Sequence, residues 1–385
     1  MYINKQKQNW STNTDTRNSL VCDAMSRNRF EEILSCVHLA HTKENENDRA
    51  WKIRPMIKIC QEKFSHYLQM EENLSIDESM IKYYGRHPSK QFVKGKPIRY
   101  GFKAWLLCSS SGKCHMFSLY MGAGDRQEGL GLGEAVVLSF ADRVPEGCTF
   151  YFDQYFSKIR LHQMLADRRI ASVGTIQMNR LRGAGKLLDD KKELNKLPRG
   201  ETTCVSTDTV TVVVWKDTKP VTMSSNYFGS GAKSKCTRWD KTKKAQIQVS
   251  RPEIVKKYNC HMGGVDLTEE FVNQYRIRIR NRRWYFCIFT WLMDLLMTNS
   301  WLLFRENVHN ITQFEFRRQV VLSLLNKSLQ YKKPKVISST DHSVTCDPMK
   351  RRIRCKVCRS QTVFRCSTCD VALHANTCFL RFHKK

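Results

Sequence analysis

The tail of the chain restricts its fold more than any other stretch. The segment R-C-K-V-C-(x7)-C-S-T-C-(x4)-H-A-N-T-C-(x4)-H brings together Cys355, Cys358, Cys366, Cys369, His374, Cys378 and His383. So short a piece buries little apolar surface, and metal coordination would supply most of its folding free energy. Seven donors, with an eighth from His342 or Cys346, suit two tetrahedral zinc ions interleaved as a cross-brace. A simpler alternative is one site built from Cys355, Cys358, Cys366 and Cys369. The blandest is a set of unrelated free thiols.

Six of the 16 cysteines fall in the last 40 residues. The other ten are scattered singly, as buried thiols in a reducing compartment are. The first residues, MYINKQKQNWSTNTDTRN, contain no apolar signal-peptide core.

Sixty-five Lys and Arg against 36 Asp and Glu give a formal net charge of +29 in 385 residues. Such an excess hinders self-association and favours a polyanion, with nucleic acid the default partner through phosphate neutralisation. Ribosomal, histone-like and membrane-surface proteins share this balance, so charge alone gives only a class. Residues 284–304 (WYFCIFTWLMDLLMTNSWLLF) imitate a membrane span. Asp294 near their centre would cost roughly 2.5–3.5 kcal/mol on insertion, which favours a helix buried in a large soluble protein and no membrane partner.

The order of elements gives a fold class. Residues 20–70 read as helical, with apolar residues at 30, 33, 34 and 37 and Pro55 at a helix start. Strands are expected at 74–80, then at 98–110 and 113–123 joined by Ser111-Gly112. A helix at 131–144, a strand at 148–156, a helix at 157–169 with Ser157 as N-cap, and a strand at 170–177 follow. Three strands, helix, strand, helix, strand is the order of an α/β, ribonuclease-H-like core. Residues 179–250 break the rhythm and read as a β-containing insertion with one strand pair at 209–226. Helices resume from 265 to 330, a basic linker covers 331–350, and no internal repeat is found. The expected organisation is a helical flanking part at 1–72 and the catalytic core at 73–178 with 251–275. The insertion at 179–250, a helical DNA-binding part at 276–330 and the cross-brace zinc domain at 351–385 complete it.

Within that order three aspartates stand out. Asp77 sits in the first strand (S-I-D-E-S-M), Asp153 closes the fourth (Y-F-D-Q-Y-F), and Asp266 follows a glycine pair in M-G-G-V-D-L-T-E-E, where the glycines permit a sharp turn into a helix. Glu269 is three residues on, on the same helical face. Each alone is an ordinary turn or cap residue. Together they matter, because an Asp amid apolar strand residues is costly unless paired or metal-bound. Hard cations that assist phosphodiester chemistry need such oxygen ligands. The run R-I-R-I-R-N-R-R contains Arg276, Arg278, Arg280, Arg282 and Arg283, and Lys350, Arg351, Arg352 and Arg354 flank the cysteine cluster; both suit phosphates. Trp215 and Trp239 could stack on unpaired bases or simply pack in a core.

N-L-S-I-D-E-S-M-I-K-Y-Y-G-R-H, K-P-I-R-Y-G-F-K-A-W-L-L-C, F-D-Q-Y-F-S and Y-N-C-H-M-G-G-V-D-L-T-E-E resemble the catalytic segments of piggyBac transposases, in the same order. M-S-R-N-R-F-E-E-I-L and the terminal C-x-x-C pairs extend the resemblance over nearly the whole chain. It implies a DNA transposase of the three-carboxylate (DDE/DDD) type that excises and inserts DNA at TTAA sites. Asp77, Asp153 and Asp266 would hold Mg²⁺ (or Mn²⁺), and Glu269 would stand where the family often has a fourth acidic residue. The tail would hold Zn²⁺ and touch transposon ends. Double-stranded DNA as partner, a homodimer and a nuclear location follow from the same resemblance. Only 24 residues precede M-S-R-N-R-F, fewer than in the family, which raises a fragment, a decayed copy or a domesticated, non-catalytic DNA- or chromatin-binding derivative as the alternative.

Overall fold

A computed structural model of the chain describes residues 6–41, 48–122, 129–181, 188, 191–279, 281–332, 342–347, 349, 351–375 and 377–383, without the side chains of 191–192 and 326–332. Arg280 and Lys350 lie outside the described residues. The chain divides into two compact units, Val37–Arg317 and Met1–Cys36 with Arg318–Lys385.

The N-terminal piece holds two helices, α1 (Ser19–Ala24) and α2 (Arg27–Cys36). Asn18 caps α1, its side-chain oxygen accepting the Val21 N–H at 3.2 Å. The Trp10 indole donates to the Met25 carbonyl at 2.7 Å, and its ring lies 5.4 Å from that of Phe30.

The larger unit opens with α3 (Arg54–Tyr67), with Pro55 in its first turn, where a missing N–H costs nothing. Next come β1 (Asn73–Lys82), β2 (Gln91–Phe92), β3 (Tyr100–Ser109), β4 (Cys114–Tyr120), α4 (Leu132–Ala141), β5 (Thr149–Phe152), α5 (Ile159–Asp167) and β6 (Ala171–Thr175). The expected strand–helix order of residues 74–177 is therefore present, with strand and helix ends displaced by a few residues. The chain continues through α6 (Lys191–Lys196), β7 (Thr202–Ser206), β8 (Thr211–Lys216), β9 (Pro220–Ser225), β10 (Ser234–Asp240) and β11 (Ala245–Arg251). Four helices follow: α7 (Glu253–His261), α8 (Gly264–Gln274), α9 (Trp284–Asn307) and α10 (Gln313–Lys332).

Nine of the described strands form one mixed sheet in the order β2-β3-β1-β5-β6-β9-β8-β7, with β4 also on β3. β1 and β5, and β5 and β6, are parallel, while the remaining pairs are antiparallel. This is the ribonuclease-H-like arrangement. All four residues of β5 are buried, as a central parallel strand covered on both faces requires. The period of two in β3 sorts its side chains into two cores. Phe102, Ala104 and Leu106 pack with α3, α8 and α9 through Ile57, Val265, Ile288 and Leu292. Trp105 and Leu107 pack with α4 and α5 through Val137, Phe140, Leu161 and Leu165.

Three expectations need correction. Residues 179–250 do not stand apart: β9 pairs with β6 (Val173↔Ser225) and carries β8 and β7 onto the same sheet, leaving β10–β11 as a separate hairpin. α7, β7 and that hairpin were not legible in the polar sequence there. Ser157 does not cap α5; Lys158 holds that place, and the Ser157 hydroxyl is buried with no hydrogen-bond partner. Finally, Arg276, Arg278, Arg282 and Arg283 lie in neither helix nor strand but between α8 and α9.

α9 is long and apolar enough to cross a membrane, yet Ile288, Leu292 and Leu295 are fully buried against the sheet. Asp294, near its centre, is also fully buried. It accepts the Ile277 N–H at 2.9 Å and an Arg317 N–H at 3.1 Å, so its charge is paired and hydrogen-bonded.

The tail consists of β12 (Val344–Cys346) paired with β15 (Phe364–Cys366), β13 (Ile353–Arg354) paired with β14 (Gln361–Thr362), and α11 (Thr377–His383). Its apolar centre is small: Leu373 with Cys355 and Cys366, and partly buried Val357, Val371, Phe379 and Phe382 around them.

Candidate active site

The parallel register of β1 and β5 ends at Ile76↔Phe152. Asp77 and Asp153 take the next position on each strand, where the two part. β5 ends there while β1 runs on against β3 to Lys82, so Asp153 lies just beyond the carboxyl end of its strand, the side on which α/β sheets take ligands, and Asp77 lies beside it within β1. Each carboxylate is anchored locally. Asp77 Oδ1 accepts the Glu78 N–H at 2.7 Å, and Asp153 Oδ1 accepts the Tyr155 N–H at 2.8 Å.

α8 brings the third aspartate. It crosses β1 and β3 so closely that a Cβ at Gly264 would stand 2.3 Å from the Ser109 carbonyl oxygen and 2.6 Å from the Ser75 hydroxyl. Gly263 has φ −75°, and Gly264 is not among the residues of positive φ. Gly264 thus serves close approach, not the sharp turn expected from sequence, whereas a Cβ at Gly263 would meet nothing within 4 Å. Thr268 fixes the helix further by donating to the Gly112 carbonyl at 3.0 Å. Asp266, in the first turn, is exposed. Glu269 Oε1 accepts the Met80 N–H of β1 at 3.2 Å, so one of its oxygens is already committed to strand backbone.

Burial first, and then the neighbouring Glu78 charge, pushes the Asp77 carboxyl up to about 7, with Asp153 adding to the same direction. Asp153 is raised too, mainly by burial. Two neighbours feel the whole set. Burial alone would lower Lys96, but Asp77, Glu78, Glu269 and Asp266 outweigh it and hold the ammonium above its usual value. Its Nζ lies 3.3 Å from the Glu78 carbonyl oxygen and 3.9 Å from the Glu78 carboxylate. Tyr258, from α7, is pushed up to about 12 by burial, with Asp153, Asp77 and Asp266 adding. Sequence reasoning missed both; a lysine after Gly95 and a tyrosine in an unassigned helix carry no spacing signal.

Among the described residues, the Asp, Glu, His and Cys groups whose ligand atoms all lie within 4.8 Å of one another are two clusters in the tail; the three aspartates are not such a group. Two ions roughly 3.5–4 Å apart can be held by carboxylates more widely spread than that. The donor set fits such ions: hard oxygens, of which those of Asp77 and Asp153 are destabilised as free anions by burial and by the neighbouring Glu78 charge.

The tail clusters are Cys355, Cys358, His374, Cys378 and His342, Cys366, Cys369, His383. Along the chain the two sets alternate, which is the cross-brace pattern, and His342 supplies the eighth donor in place of exposed Cys346. The four-cysteine alternative is excluded, because Cys355 and Cys358 belong to one cluster and Cys366 and Cys369 to the other. Cys358 Sγ lies 3.3 Å from His374 Nδ1, and Cys369 Sγ 3.6 Å from His383 Nε2. The remaining ring nitrogens face backbone carbonyls of Gln361 (3.1 Å) and Phe379 (2.9 Å). An N–H donated there leaves the cluster-facing nitrogen free to ligate. Burial opposes ionisation of Cys355, but N–H groups of Cys358, His374 and Val357 outweigh it and bring the thiol to about 6. These clusters could bind zinc.

The arginines divide by environment. Arg278, Arg282, Arg351, Arg352 and Arg354 are exposed, Arg351 lying 3.5 Å from Asp347. Arg276 is half-buried near Asp294, and Arg283 donates to the Val37 carbonyl at 2.9 Å. Trp215 is a core residue, 3% exposed, its indole bonded to the Ser250 carbonyl at 2.8 Å, whereas Trp239 is exposed.

A family model described as Transposase IS4 matches residues 3–301. The chain is 32% identical over 405 residues to the human PiggyBac transposable element-derived protein 3, covering 99% of this chain and 67% of that protein. It is 29% identical over 402 residues to the human PiggyBac transposable element-derived protein 2, covering 98% and 67%. It also matches a chimeric human protein, of which it spans 37%. A solved structure described as a piggyBac transposase synaptic complex with hairpin DNA superposes with a TM-score of 0.70 at 20% identity, over 94% of this chain and 81% of that one. That likeness establishes the shared fold. With a family match over most of the chain, near-complete coverage by relatives, and aspartates on the expected elements, the chain belongs to the piggyBac family of transposase-derived proteins.

Proposed function

We propose that the chain is a metal-dependent DNA transposase in which Asp77, Asp153 and Asp266 hold two Mg²⁺ or Mn²⁺ ions against a phosphodiester. The observation that carries this reading is the placement of Asp77 within β1 beside Asp153, just past the end of parallel neighbour β5, with α8 pressed onto β1 and β3 through Gly264. When bound, the ions supply activation of a hydroxyl nucleophile and stabilisation of the leaving oxygen. The chain's own groups do the rest. Lys96 offsets the carboxylate cluster, Glu269 holds β1 at Met80, and exposed Arg278 and Arg282 draw the phosphate backbone toward the site.

Cut-and-paste excision with reinsertion at TTAA is the specific form proposed, carried out by a nuclear homodimer on double-stranded DNA. In the tail, two zinc ions would hold Arg351, Arg352 and Arg354 as a contact surface for a transposon end. The net charge of +29 supports a polyanionic partner. A second reading is a domesticated DNA- or chromatin-binding protein without catalysis; the ligand atoms of the three aspartates do not all lie within 4.8 Å of one another. It is favoured by relatives whose names call them transposable element-derived.

Incubation with supercoiled plasmid and Mg²⁺ or Mn²⁺ separates the two. Nicking by the wild type that falls more than about 100-fold in Asp153→Asn supports the enzyme, since even outer-shell losses cost about 10–100-fold at metal sites. DNA binding with no nicking by either protein supports the binding module.

A further inference from the structure

Two residues past Asp153, Tyr155 stands on a prepared support. Its ring stacks on that of Trp105, with centroids 5.6 Å apart and planes 20° from parallel. Trp105 itself is 2% exposed and rigid in the core, while Tyr155 is 40% exposed. The Lys103 ammonium lies 3.9 Å from the Trp105 ring centroid and 5.1 Å from that of Tyr155. Asp77 and Asp153 both act electrostatically on that ammonium, which ties the pair to the carboxylates.

The backbone beneath is equally fixed. Arg180 donates to the carbonyl of Gln154, and to those of Tyr155 and Ser157 at 3.1 and 3.3 Å. Asp153 accepts the Tyr155 N–H. α4 comes so near that a Cβ at Gly133 would lie 3.3 Å from the Tyr155 ring. An exposed tyrosine in a loop usually gains nothing from such support. Here three elements hold one ring still beside a carboxylate at the mouth of the crevice.

We propose that Tyr155 is a stacking platform for a nucleobase next to the phosphodiester acted on by the site. This rests on the reading that the crevice takes DNA and adds which residue seats the flanking nucleotide. A nucleobase is the ligand that suits: it offers a flat π-face for stacking, while its phosphate can sit near Lys103. Trp105 holds the platform from below and does not touch DNA.

The test uses the full chain without divalent metal and a short duplex bearing a single-stranded overhang of 2-aminopurine, whose fluorescence is quenched by stacking. Quenching by the wild type that persists in Tyr155→Phe and is lost in Tyr155→Ala supports the platform. Binding by anisotropy should then be about 5- to 100-fold weaker for Tyr155→Ala, the equivalent of one base–aromatic stack. Circular dichroism verifies that the alanine variant is folded. Equal quenching by wild type and folded Tyr155→Ala overturns the platform and leaves the DNA reading standing. No binding of the duplex by the wild type removes the DNA reading and the platform with it.

Discussion

Asp77 illustrates how a residue that weakens a fold reveals its use. It sits within a ten-residue strand whose next neighbour on β5 is also an aspartate, and burial with the Glu78 charge pushes its carboxyl up to about 7. A carboxyl raised on folding contributes stability that is fully present below its unfolded value, near 4, and is lost as pH rises through about 7. We therefore expect metal-free protein to melt lower at pH 8 than at pH 5, and Asp77→Asn to remove much of that difference. A gain of a few degrees for the variant at pH 8, and little at pH 4, is the outcome to look for by calorimetry. Asp77 and Asp153 were legible in the sequence because an acid among strand residues is anomalous. Lys96 and Tyr258 were not, since their types are common on any surface and only the fold brings them to the cluster. Trp215 and Tyr155 show the same limit from the other side. An aromatic residue's use depends on whether the sheet covers it, and sequence spacing does not say.

At the scale of elements, α8 is the device that completes the site, and its position depends on the absence of one Cβ. Gly264→Ala would set a methyl group 2.3 Å from a β3 carbonyl. Moving α8 outward to relieve this should destabilise the protein by roughly 1–3 kcal/mol, as overpacking does. It should also lower nicking more than DNA binding, because Asp266 moves with the helix. Urea unfolding and the plasmid assay read the two effects separately. α9 makes a second case. Removing the Asp294 carboxylate leaves Arg317 buried and the Ile277 N–H without its acceptor, so Asp294→Ala should cost about 3–5 kcal/mol in a urea titration. The strand and helix periods from 74 to 177 were readable because each element buries a regular face. Those of 179–251 were not, because β7, β10 and β11 expose many of their residues and carry polar, threonine- and lysine-rich sequence. β7 is placed by pairing with β8 at the edge of the sheet, whereas β10 and β11 pair with each other as a separate hairpin.

For the molecule as a whole, the two compact units depend on different stabilising agents. Val37–Arg317 is built on two large apolar layers, whereas the Cys/His tail has little more than Leu373 and a ring of partly buried side chains. Strong chelators should therefore release two zinc equivalents per chain, one per four-residue cluster, and unfold residues 351–383. The mixed sheet should keep its protection from hydrogen exchange. Retention of exchange protection in the tail after complete chelation would contradict that division. Association with DNA should weaken steeply with salt, as expected for a chain of +29 whose exposed arginines meet phosphates. Catalysis here requires that three aspartates, one within β1, one just past β5 and one on α8, hold a pair of divalent ions. Anomalous diffraction from crystals of the full chain with a DNA duplex and Mn²⁺ measures this directly. Two manganese peaks between Asp77, Asp153 and Asp266, absent in Asp153→Asn, are predicted. Ordered carboxylates with no manganese between them would contradict the account.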